Sequence, residues 1–100
     1  MKRIQEYVEK IDEEINDAKD YAEKYLYYKA LNTNPKWTKY YMQMANEELQ
    51  HATYIHDMAM EEIAMLDKVY KPTEEMEKSW NTSHIQYVDR VAWIKKMLEM

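Results

Sequence analysis

The chain contains no glycine and only two prolines, Pro35 and Pro72, in its 100 residues. Phosphate-cradling loops, dinucleotide fingerprints and tight glycine turns rely on backbone that only glycine allows, so nucleotide-binding architectures are excluded together. The prolines cut the remaining sequence into three stretches of similar length. Each stretch reads as one helix, with no strand candidate, internal repeat or low-complexity tract to compete.

The first stretch places Ile4, Val8, Ile11, Ile15, Ala18, Ala22, Tyr25 and Leu26 at the alternating three-and-four spacing of an amphipathic helix over residues 2–31. Asn34 is a good N-cap and Pro35 suits the first helical position, where its missing N–H costs nothing, so residues 32–34 form the turn of an antiparallel hairpin. The second helix is expected over 35–70, with Trp37, Tyr41, Ala45, Ala52, Ile55, Ala59 and Leu66 on one face. Lys71-Pro72 ends it, and Thr73 followed by Glu74 and Glu75 caps a third helix over 74–98. That helix carries Trp80, His84, Val88, Val91 and Leu98 on one side, with Asn81-Thr82-Ser83 as a competing start. The expected fold is therefore all-α, a single domain over 1–100 built as an elongated hairpin plus a third helix. Helices of about thirty residues are roughly 45 Å long, and such rods leave apolar faces partly uncovered. Ten tyrosines, nine methionines and three tryptophans are the side chains that carry such faces into interfaces, so a homo-oligomer, a dimer or higher, is expected to complete the bundle.

The absence of cysteine removes disulfides, zinc ribbons, iron–sulfur clusters and thiol nucleophiles, leaving His, Asp and Glu as the strong metal ligands. Fourteen basic residues, dispersed along the chain, stand against nineteen acidic ones for a net charge of −5, which argues against nucleic acid and anionic membrane as partners. No apolar run suits a membrane span or a secretory signal, and a cytoplasmic location is expected.

Within the second helix, Glu48 lies close to the centre of the apolar stripe, one turn from Met44 and Ala52. A carboxylate withdrawn from water needs a cation, a metal or a proton taken up at raised pKa. His51, three residues on, projects toward the same point, the spacing with which Glu-x-x-His supplies ligands in di-iron helical bundles. The ordinary alternative is an i,i+3 pair on a solvated helix, or a Glu48 neutralised by Lys29 or Lys95. The hairpin turn sets Glu48 and His51 level with the middle of the first helix, where Glu14, Asp17 and Asp20 are the available acids. Glu14 borders the apolar stripe and is the first choice, followed by Asp17, while Asp20 points away. A second route closes a mononuclear site with His84 from the third helix, although a histidine on an apolar face is more often a satisfied core residue. His56 projects about 140° from His51 and cannot share its site. Glu62 reads as an edge residue. Oxygen and imidazole donors without thiolate suit Fe, Mn or Zn.

The hairpin and the motif Glu48-Leu49-Gln50-His51 resemble the ferritin-like superfamily, including rubrerythrins and the half-ferritins of encapsulated iron stores. The stretch from Glu14 to Tyr21, with Trp80 and His84 later, is also similar to small ferritin-like proteins of prophages. The resemblance covers about the first seventy residues. It implies iron held by Glu48, His51 and a glutamate of the first helix, with half-length members pairing subunits to build a di-iron ferroxidase centre. This chain departs from the pattern in having no second Glu-x-x-His, so a complete centre requires a partner copy. The competing expectation is a non-enzymatic helical interaction protein in which Glu48, His51 and His84 form a hydrogen-bond network that fixes register.

Overall fold

A computed structural model describes the backbone of residues 2–69 and 71–100, and the side chains of all of these except Lys2, Arg3 and Asp67. It is 91% helical, with no strand among the described residues. Three helices follow in order: α1 (Lys2–Leu31), α2 (Pro35–Asp67) and α3 (Glu74–Glu99). They form a rod of 56 × 18 × 17 Å.

The turns follow local chemistry. α1 ends at Asn32, whose φ of 52° puts it in the left-handed region, where Asn is tolerated better than most residues. Its N–H donates to the Tyr28 carbonyl at 3.1 Å, satisfying one of the last carbonyls of the helix. Asn34 Oδ1 accepts from the Lys36 N–H at 3.1 Å, and Pro35 opens α2. Thr73 caps α3 through Met76 N–H at 3.3 Å, with Glu74, Glu75 and Glu77 in the first turn opposite the positive end of the dipole. The strong cap at Thr73 wins over the alternative start at Asn81-Thr82-Ser83, and α3 is continuous. α2 stops at Asp67, with Lys68 at its C-cap, short of the expected Tyr70; that residue lies outside the described set.

A single cluster draws on all three helices: Ile11, Ile15, Ala18, Ala22 and Tyr25 from α1, Ala45, Leu49 and Ala52 from α2, and Val91, Ile94, Met97 and Leu98 from α3. Ala18, Ala22, Ala45, Ala52 and Ala59 are fully excluded from solvent, so the hairpin closes along small side chains that let the two backbones approach. This seam differs from the stripe expected for the second helix. It runs through Ala45, Leu49, Ala52, His56 and Ala59, its midline about 60° around the helix from Glu48, while Trp37 is 45% exposed and Ile55 only partly covered. Close packing of the alanines rotates α2 toward them and turns the bulkier aromatic edge outward.

α3 covers one flank of the hairpin. On α1, Asp12 and Asn16 meet Arg90, with Asp12 Oδ1 3.2 Å from its guanidinium. On α2, Thr53 accepts from the Tyr87 hydroxyl at 3.0 Å and His56 meets His84 at 2.8 Å. Among the described residues, no helix is long and apolar enough to cross a membrane.

Candidate metal centre

Glu14 on α1 lies about 160° around its helix from both Asp12 and Asn16, and His51 on α2 about 160° from Thr53. These residues therefore sit on the flank of the hairpin that α3 leaves open. Antiparallel pairing brings Glu14 level with Glu48 and His51, and one ligand atom from each lies within 4.8 Å of the others. No other group of three or more His, Asp or Glu converges in this way among the described residues. His51 Nδ1 stands 3.6 Å from Glu14 Oε2 and 3.7 Å from Glu48 Oε2. Both separations exceed a hydrogen bond. They are close to the roughly 3.4 Å that separates two ligand atoms around a tetrahedral ion when each is about 2.1 Å from the metal. Two carboxylates and an imidazole are a donor set for Fe, Mn or Zn, and the residues fit such an ion.

The carboxyl side chains are mostly covered, 13% exposed for Glu14 and 15% for Glu48, whereas the His51 side chain is 59% exposed. The site thus has two shielded oxygens at its base and an imidazole at its mouth. The sequence pattern puts Glu48 near the centre of the apolar stripe, but in the structure it lies at the edge of the seam and is shielded because it leans across to Glu14. The pair divides one proton unequally. Hydrogen bonding to Glu14, then burial, then the Glu14 charge push the Glu48 carboxyl up to about 7, opposed by His51. Hydrogen bonding from Glu48 holds Glu14 below its usual range against burial, helped by the charges of Lys10 and His51. Lys10 Nζ lies 3.5 Å from Glu14, an i,i+4 pair.

The raised Glu48 value has a stability consequence. The folded state holds a proton that the unfolded chain releases near pH 4.5, so this contribution is full below that point and is lost as pH rises through about 7. Glu48→Gln keeps a hydrogen-bond donor toward Glu14 but cannot ionise. Metal-free wild type is therefore expected to lose stability relative to Glu48→Gln between about pH 5 and about pH 8. Urea midpoints of both proteins at the two pH values check this, and a constant difference between them would refute it.

The other anticipated residues fall elsewhere. Asp17 is exposed and outside the group, although its charge reaches Glu48 as the smallest of the influences on it. Asp20 is exposed. His84 faces His56 on the opposite flank, so the route that joins His84 to Glu48 and His51 is not formed within the chain. Neither lysine proposed to neutralise Glu48 is among the groups acting on it: Lys29 Nζ donates to the Tyr25 hydroxyl, and Lys95 lines a cleft with Asp57. Glu62 accepts from the Tyr7 hydroxyl. The aid from Lys10 was missed, although its i,i+4 spacing to Glu14 is plain in the sequence.

About two to four turns from the carboxylates toward the hairpin tip, on the same flank, the rings of Tyr28, Trp37 and Tyr41 stack with centroids 5.5–6.0 Å apart. Lys24 Nζ lies 5.5 Å from the Tyr41 ring centre. No family model matches the chain, and no curated protein or solved structure matches it either.

Proposed function

We propose that this chain is a metal-binding helical protein of ferritin-like type, in which Glu14, Glu48 and His51 hold a divalent transition-metal ion. The observation that carries the reading is the convergence of three ligand atoms within 4.8 Å on the uncovered flank of the hairpin. One hairpin supplies a carboxylate and a single Glu-x-x-His, half of the ligand set of a two-metal carboxylate centre. Two copies meeting at this flank about a two-fold axis would bring the halves together, and exposed Trp37 and Tyr40 lie on the same helix beside it.

In this reading the substrate is ferrous iron. Four ferrous ions give one electron each to one dioxygen, which takes up four solvent protons and leaves as two waters. Glu14 and Glu48 supply anionic oxygens that favour the higher charge of the oxidised ion, and His51 holds the solvent side. Because Glu48 carries a proton near neutrality, the ion must displace it, and binding weakens as pH falls.

The test uses protein purified without affinity metals, with elemental analysis and native mass measured together. Wild type is expected to retain iron, manganese or zinc, and to oxidise ferrous iron at least tenfold faster than Glu48→Ala. Equal rates would remove the oxidase reading, and absence of metal uptake would remove the site.

A second reading is favoured by the pairing of Glu14 with Glu48, whose mutual hydrogen bond raises one carboxyl and lowers the other. A carboxyl and a carboxylate that satisfy each other need no ion, and the pair would then fix hairpin register in a non-enzymatic interaction protein. Under this reading a chelator leaves the melting temperature unchanged.

A further inference from the structure

α3 is anchored unevenly. Its buried residues are Ser83, Val91, Ile94, Met97 and Leu98, so the second half is held by a hydrophobic row and the first half has only a serine in that class. The first half meets α2 at a cleft lined by Ile63, Met76 and Trp80 and, beside it, at an imidazole set in a ring cage. Trp80, His84 and Tyr87 stand at i, i+4 and i+7 on one face of α3, and their rings surround His56 of α2. The Tyr87 ring lies parallel to His56, 6° apart in plane and 4.1 Å between centroids. The Trp80 ring lies 5.5 Å away at 24°. His56 and His84 have centroids 4.9 Å apart and planes inclined by 22°, so they meet edge to edge, with Nε2 of His56 2.8 Å from Nδ1 of His84.

We infer that the His56–His84 pair is a proton-controlled latch that keeps the first half of α3 docked on α2 at neutral pH and releases it on acidification. The chemistry is a count of protons on two facing nitrogens. With both rings neutral, one N–H lies between them and the contact is donor to acceptor. One added proton leaves an imidazolium donating to an imidazole, and the bond survives. A further proton puts N–H groups on both facing nitrogens and turns the bond into a repulsive contact between two cations.

Little around the pair can offset that second charge. Asp57 is the acid nearest His56, with Oδ1 3.7 Å from Nδ1, but its side chain is 69% exposed. Lys95 of α3 shares the cleft that Asp57 lines. On α1, Asp12 faces α3 but is tied to Arg90 at 3.2 Å. Glu77 lines the cleft beside Trp80, one turn before it on α3, and is exposed. The Tyr87 hydroxyl is committed to Thr53. Burial, then the neighbouring His84, lowers the affinity of docked His56 for a proton, whereas the undocked ring takes one at the ordinary histidine value. Undocking therefore gains a proton, and acid favours it.

A one-proton difference shifts the docking equilibrium by about tenfold per pH unit below about pH 6.5. Hydrogen exchange of the full chain, corrected for the intrinsic rate, at about pH 7.5 and about pH 5 reads it directly. Amides of 74–86 are expected to lose at least tenfold in protection at the lower pH while those of 91–98 keep theirs. His56→Phe retains a ring in the cage but cannot titrate, and is expected to abolish the loss; His56→Gln serves equally if the phenylalanine variant lacks native helicity at neutral pH. Unchanged protection of 74–86 in wild type would overturn the latch. So would a loss spread evenly over all three helices, or the same loss in wild type and a folded variant. None of these outcomes bears on metal uptake at Glu14, Glu48 and His51, which is measured separately.

Discussion

Ferrous or manganous ion at about a hundred times its dissociation constant is expected to stabilise the folded protein by about 2.7 kcal/mol, and Glu48→Gln is expected to remove the gain. The magnitude follows from mass action alone, because an ion that binds the folded site and not the unfolded chain shifts the equilibrium by its own occupancy. For a domain of this size such a change corresponds to about 10–20 °C in melting temperature. Gln preserves the shape of Glu48 and its contact with Glu14 while removing the negative oxygen, so loss of the metal effect in a folded variant isolates coordination from packing. Reversal by chelator in wild type, with no effect in Glu48→Gln, completes the expected pattern. Equal metal-induced shifts in both proteins would mean that the ion binds elsewhere, and no shift in either would favour the shared-proton pair.

Ile15→Ala is expected to cost about 3 kcal/mol of folding free energy, the typical size for removing a fully buried aliphatic side chain and leaving a partly collapsed cavity. Ile15 is wholly excluded from solvent in the cluster where all three helices meet, with Ile11 and Ile94 each 1% exposed. A single domain is marginally stable, so this loss is a large share of the total. Ile85→Ala provides the contrast: Ile85 is 61% exposed on α3 and its truncation is expected to change stability by no more than about 0.5 kcal/mol. Urea denaturation of the two variants measures both. Similar costs at the two positions would mean that the outer face of α3 is covered by a partner in solution, and a negligible cost at Ile15 would refute the core described above.

The helices were legible because their signals are local. Periodicity, Asn34-Pro35 and Pro72-Thr73 act within a few residues, and the three helices begin at Lys2, Pro35 and Glu74 as the sequence pattern predicts. The end of α2 was less legible because no residue near Asp67 forces a stop; the helix ends there before Pro72 compels it.

The pairing of Glu48 with His51 was likewise written in i,i+3 spacing, and the hairpin turn brought Glu14 level with them through length alone. What the sequence by itself determined was therefore the set of rods, their order and the height of each residue along the bundle. Rotation about each rod was decided only on packing, because an apolar stripe broad enough to include both alanines and aromatics allows several phases. The alanine-rich seam selected one of them by permitting the closest approach of two backbones. That choice placed Glu48 at the edge of the seam rather than in its middle, opened His51 to solvent, and carried His56 inward to meet His84, a pairing no spacing within either helix could disclose.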